Sequence, residues 1–251
     1  MQSHTVIASS LVARARRAGF EPSPEVPVLP GGMSDFLKQI ILYRSNKNPN
    51  NEMIAIADAL EFNVLHGKII WKPSPSGYPT FIYHPREMEA EIRLTQASSM
   101  VSELAPLVLF IRGLIRPGDT LIIEEPEAHL HPGAQTEIAA TLARLVRAGV
   151  RVVVTTHSDW LLKEIGNLIR EGVLKKKGEL RKKSEGPESW LLPDEVGAWH
   201  FHKEKPVEPL HFTNLDGIDP PDYEELALNL YNRSAGLHNQ LEETEGDNIS
   251  E

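Results

Sequence analysis

The 251-residue sequence contains no cysteine. That absence excludes disulfide cross-links, thiolate metal ligands and cysteine nucleophiles together, and it fits a reducing, cytoplasmic compartment. No stretch approaches the ~20 consecutive apolar residues needed to cross a bilayer, so no membrane partner is expected. The N-terminus, MQSHTVIASSLVARARR, lacks the charged-then-apolar order of a secretory signal. An excess of positive charge is also missing. With 35 acidic and 26 basic residues the net charge is −9, which argues against a general polyanion binder while leaving room for a local basic patch. What remains is an ordinary globular balance, 41% hydrophobic and 24% charged. It suffices for one α/β domain or two small ones, at roughly 100–200 residues each.

Periodicity predicts helices over 3–19, 34–43 and 52–60, broken by a proline-rich loop at 21–32 and by NKNPNN at 46–51. The first helix starts with the chain, without a preceding strand. Residues 63–71, 78–84 and 89–95 read as a small antiparallel meander, its first turn being KPSPSG. Residues 97–115 are apolar nearly all round and predict a buried helix, with Pro106 bending it or marking its first turn. Strand 119–125, helix 132–148 and strand 150–156 form a crossover unit. The continuous apolar runs of these strands predict a parallel sheet covered on both faces. A helix over 159–171, a basic excursion at 175–189, a hairpin from 196–201 and 206–212, and a helix over 223–231 follow. Residues 236–251 read as a disordered acidic tail.

The chemistry concentrates at two strand ends, TLIIEEPEAHLHP (120–132) and VVVTTHSDWLL (152–162). In open parallel sheets, ligands bind beyond the carboxyl ends of the strands. Glu124, Glu125 and His157 all lie at such ends and are expected to share one crevice. Paired carboxylates in this position suit phosphoryl transfer: one holds Mg²⁺, the other polarises the attacking water, and a nearby imidazole bonds the phosphate. The plain alternative for an isolated Glu-Glu pair is a solvated turn, since two carboxylates repel unless a cation or solvent relieves them.

LIIEEPEAHLHP and VVVTTHS resemble the Walker B, D-loop and H-loop segments of ABC-type ATPases. The resemblance is to the prokaryotic branch with RecF-like, SMC-like and OLD-like members, also described as AAA-family ATP-binding proteins. It is strong over 95–170 and loose elsewhere. It implies a P-loop NTPase-like α/β fold, an ABC ATPase head with a parallel sheet core, a small β-meander and a helical insertion. Residues 1–96 would carry the helical segment and meander, 97–235 the ATPase core, and 236–251 the tail. It implies ATP and Mg²⁺ as cofactors, Glu124 on the Mg²⁺ side, Glu125 as the catalytic glutamate and His157 as the switch histidine. Residues 126–132, with His129 and His131, would touch a second protomer. ASSMVSEL (97–104) stands where the signature helix is expected, although it lacks the usual glycine pair. Its backbone N–H groups with Ser98 and Ser99 would bind phosphate across the dimer, a role compatible with either serine capping the helix. The implied partner is a second head, with nucleic acid reached through a partner, in DNA repair or anti-phage defence.

The resemblance also calls for a Walker A loop, GxxxxGK[ST], and none is present. The one Gly-Lys pair, Gly67-Lys68, is followed by Ile69. Without that loop there is no backbone nest and no lysine for the β-phosphate. The expectation is therefore the C-terminal portion of a longer ATPase, incomplete at its N-terminus, that binds ATP weakly by itself. Two other readings stay open: a non-catalytic regulatory or dimerisation module, and a metal-dependent hydrolase built on His129, His131 and the glutamates. The run from Lys175 to Lys183 reads as a solvated loop or a contact to nucleic acid phosphates. Asp216, Asp219 and Asp222 read as a turn or a carboxylate cluster. Trp71, Trp160, Trp190 and Trp199 read as packing residues.

Overall fold

Asn50 accepts hydrogen bonds from the backbone of Glu52 and Met53 and so caps helix α1, Asn51–Leu60. The computed structural model describes residues 50–73, 79–180, 187–213, 217–218 and 221–247. The helices expected over 3–19 and 34–43, and the loop between them, lie outside these residues.

The expected strand at 63–71 begins later. A π-type turn over Glu61–Leu65 continues α1 and buries Val64 and Leu65. His66, at φ 49°, then reverses the chain. Strand β1, Gly67–Pro73, pairs antiparallel with β2, Pro79–Pro85, and β2 with the two-residue β3, Ile92–Arg93. Gly67 is required at the start of β1, because a Cβ there would stand 2.4 Å from the Tyr83 ring. The meander is thus present, shifted and shortened.

Helix α2, Ser99–Gly113, starts at its Ser98 cap, which places Pro106 in the interior and not in the first turn. Its apolar side chains Val101, Leu104, Val108 and Ile111 share one buried cluster with Met53, Ile56 and Leu60 of α1. Strand β4, Thr120–Glu124, helix α3, Pro132–Arg147, and strand β5, Arg151–Thr155, follow. β4 and β5 pair parallel, with Ile122 opposite Val153 and Glu124 opposite Thr155.

The expectation that this sheet is covered on both faces is not met. Leu121, Ile123, Val152 and Val154 pack against the core, whereas Ile122 is 72% and Val153 52% exposed. Among the described residues the core-side helices reach one face only. Side chains alternate across a pleat, so every second apolar residue is left outward.

Helix α4, Asp159–Lys177, is longer than expected, closed by Gly178 at φ 75°. Lys175, Lys176 and Lys177 form its last turn, where cations complement the helix dipole; they are not part of a loop. Lys182 and Lys183 lie outside the described residues. A short antiparallel pair, β6, Trp199–His200, with β7, Glu208–Pro209, stands for the hairpin. The final helix, α5, runs over Pro221–Asp247, so residues 236–247 are helical where a disordered tail is expected. Leucines, glutamates and glutamine are good helix formers, and His238 lies 3.2 Å from Glu242 one turn on.

One core, from Met53 to Leu191, joins α1, α2, α3 and α4. Of the tryptophans, Trp71 packs on this core. Trp190 stacks under the Arg147 guanidinium at 4.1 Å. Trp160 and Trp199 are more than half exposed and are not packing residues in the sense expected.

Candidate functional site

β4 and β5 deliver their last residues side by side, and the ladder continues one step past β4. The Glu125 amide donates to the Thr155 carbonyl at 2.9 Å and to its hydroxyl at 3.3 Å. Glu125 itself has φ 45°, a left-handed conformation that costs a non-glycine residue free energy and gathers at functional sites. The turn beyond holds it there: Ala128 N–H donates to the Glu125 carbonyl at 3.0 Å and Leu130 N–H to that of Glu127 at 3.1 Å. His129 is also left-handed, at φ 62°.

His157 leaves the end of β5 with its Nε2 3.8 Å from Glu125 Oε1. Both side chains are mostly exposed, so this is an ion pair only when the imidazole is protonated, and a weak one. Glu124 sits one residue earlier, exposed, on the open face of the sheet opposite Thr155.

The other expected residues occupy neighbouring positions. His131 caps α3, its Nδ1 accepting from Gly133 N–H at 3.3 Å. His129 Nε2 stands 3.5 Å from Glu103 Oε1 of α2, which sets the turn against that helix. Ser98 caps α2 by accepting from Val101 N–H at 3.4 Å, and Ser99 is exposed on the first turn.

Four residues that the sequence reading passed over tie the two strand ends together. Glu127, only 8% exposed, accepts from the Thr156 hydroxyl at 2.5 Å and the His157 amide at 2.9 Å. Ser158 caps α4 by accepting from Leu161 N–H at 3.0 Å and donates to Gln135 Oε1 at 2.5 Å. Gln135 in turn donates to the Leu130 carbonyl at 2.8 Å. The sequence signal was faint: polar residues inside loops, with partners on another strand.

Among the described residues, no group of three or more His, Asp and Glu side chains has metal-binding geometry, so His129, His131 and the glutamates do not assemble a metal cage. Mg²⁺ needs less, since it keeps waters and takes one or two carboxylates besides substrate phosphates. Glu124, exposed at the strand end, fits that demand. Asp216, Asp219 and the Asp222 side chain lie outside the described residues.

No helix among the described residues is long and apolar enough to cross a membrane. A search of curated proteins finds no match. Among solved structures, the chain is similar to an Smc head bound to the C-winged helix domain of ScpA, with TM-score 0.38 and 16% identity over 45% of this chain and 36% of that one. It is similar to a structure concerned with ATP-driven dimerization and DNA-stimulated activation of SMC ATPases, with TM-score 0.43 and 11% identity over 66% of this chain and 88% of that one. The Smc head domain with an extended coiled coil, bound to the C-terminal domain of ScpA from Pyrococcus furiosus, gives TM-score 0.37 and 16% identity over 45% of this chain and 30% of that one. The chain thus spans about a third of the length of the first and third of these. The family match is by sequence: residues 32–162, more than half of the chain and including both strand ends, match the AAA ATPase domain, and the chain belongs to that family.

Proposed function

We infer that the chain binds ATP with Mg²⁺ and hydrolyses it as an ABC-type head working in a dimer. The observation that carries this reading is the approach of Glu125 and His157 at the ends of two paired parallel strands, with Glu125 held in a costly backbone conformation. Bound Mg²⁺ would supply charge neutralisation on the phosphates, held on the protein side by Glu124. Glu125 accepts the proton of the attacking water as general base. His157 bonds the γ-phosphate from the other strand. The start of α2, where Ser98 and Ser99 are exposed, offers N–H groups and hydroxyls to a phosphate of the second head's nucleotide. His129 and His131 lie on the face given to that second head. A cytoplasmic role in DNA repair or anti-phage defence, with nucleic acid reached through a partner, is a family-level analogy.

ATP binding and turnover by the full chain test the reading. Glu125→Gln is expected to lower turnover by about 10²–10⁴-fold while retaining ATP and a dimer detectable by light scattering. Unchanged turnover removes Glu125 from the mechanism. A wild-type chain that dimerises without binding ATP supports the second reading, a non-catalytic dimerisation module. That reading draws on the apolar face left open at Ile122 and Val153 among the described residues.

A further inference from the structure

Glu127 is a buried side chain that touches the His157 loop from the β4 side. Its Oε1 receives two donors from consecutive residues, the Thr156 hydroxyl at 2.5 Å and the His157 amide at 2.9 Å. Thr156 Oγ1 also accepts from Ser158 N–H at 3.0 Å, so the carboxylate, the hydroxyl and the next amide form one chain of bonds across the loop. The second carboxylate oxygen, Oε2, is buried and has no hydrogen-bond partner among the described residues. A buried, half-used carboxylate costs free energy that an apolar residue would not. A glutamate doing no more than filling space would be a poor choice here. Its one engaged oxygen goes to the backbone that carries the imidazole. Two residues before it is Glu125, and two after it is His129, which reaches α2 through Glu103.

We propose that Glu127 is a positioning residue that fixes where His157 sits relative to Glu125, and that it couples the turn at 126–130 to the imidazole. The effect on turnover rests on the ATPase reading; the effect on the geometry of His157 does not. The test uses full-length protein labelled with ¹⁵N. In Glu127→Ala the His157 amide resonance should move and its hydrogen exchange should quicken by about tenfold, the size of one lost hydrogen bond. Glu127→Gln keeps the accepting oxygen and should restore most of the wild-type exchange rate. In turnover assays Glu127→Ala should lower kcat by about 10–100-fold, as a misplaced group does, with ATP affinity unchanged. In the His157→Ala background the same change should cost nothing further, because the two act as one unit. A purely structural Glu127 would instead add its cost to that of His157→Ala. That additivity, or a His157 amide that keeps its shift and exchange rate in Glu127→Ala, overturns the proposal. If ATP turnover is insensitive to Glu125→Gln and His157→Ala while the amide responds to Glu127→Ala, the ATPase reading fails and the positioning role stands.

Discussion

Glu61 and Arg112 meet where α1 passes α2, with Glu61 Oε2 2.7 Å from Arg112 Nη2 and Glu61 only 2% exposed. The same carboxylate accepts from the Ile69 amide at 2.7 Å, so it joins two helices and the start of the meander. Removing one partner of a buried pair strands the other charge. Arg112→Ala should therefore destabilise the fold by about 3 kcal/mol, at the lower end for such losses because the guanidinium is partly exposed. Asp58 also touches Arg112, at 2.8 Å, but is half exposed. Asp58→Ala should cost under about 1 kcal/mol. Urea unfolding of the two variants checks the contrast, and equal losses would contradict it.

Gly172 of α4 lies against the backbone of Leu191. A Cβ at this position would stand 1.9 Å from the Leu191 carbonyl oxygen and 2.8 Å from its carbon. Backbone on both sides leaves nothing flexible to yield, and Leu191 is further fixed by its amide bond to the Leu168 carbonyl at 3.0 Å. Gly172→Ala should lower stability by about 1–3 kcal/mol despite the better helix propensity of alanine. Gly133 of α3, whose added Cβ meets only the His131 ring at 3.8 Å, should accept alanine within about 0.5 kcal/mol. Thermal unfolding of both variants decides the point.

Which parts of this structure could be read from the sequence follows from how local each signal is. The Glu124-Glu125 pair ending one apolar run and His157 ending another are local patterns, and they sufficed to place three side chains at adjacent strand ends. The coverage of the sheet was not local. Ile122 and Val153 read like their buried neighbours, and only the arrangement of distant helices decides which face is open. The start of β1 was displaced because Glu61 has its partner at Arg112, some fifty residues away, and the helix continues far enough to present it. Glu127 was overlooked because a carboxylate in a turn carries no mark of the amide it accepts from on the next strand.

Glu195 gives the region after α4 a pH dependence. Burial alone would raise its carboxyl, but the Arg147 side chain, the Leu192 amide and the Arg147 charge outweigh that and hold it below the usual 4.5. A depressed carboxyl adds stability above its unfolded pKa and loses it as pH falls through the folded one. The contribution is present at neutrality and is lost in acid, as pH falls from the ordinary carboxylate value through the lowered one. Glu195→Gln should cost up to about 1 kcal/mol at pH 7 and nothing once wild type is protonated. Unfolding free energies at pH 7 and in acid should converge; a constant gap would assign the loss to packing instead.

Ser98 and Ser99 can be separated although they are adjacent. Ser98 Oγ accepts from the Val101 amide and caps α2, so Ser98→Ala should cost about 1 kcal/mol of stability whether or not ATP is present. Ser99 stands within the first turn, exposed, where alanine is at least as good a helix former. Ser99→Ala should leave the unfolding midpoint of the monomer unchanged. If Ser99 binds phosphate from the second head, the same variant should weaken ATP-dependent dimerisation by about tenfold, the value of one hydrogen bond to a charged group. Sedimentation with and without ATP distinguishes these outcomes. A Ser99→Ala dimer as tight as wild type would take Ser99 out of the proposed shared site.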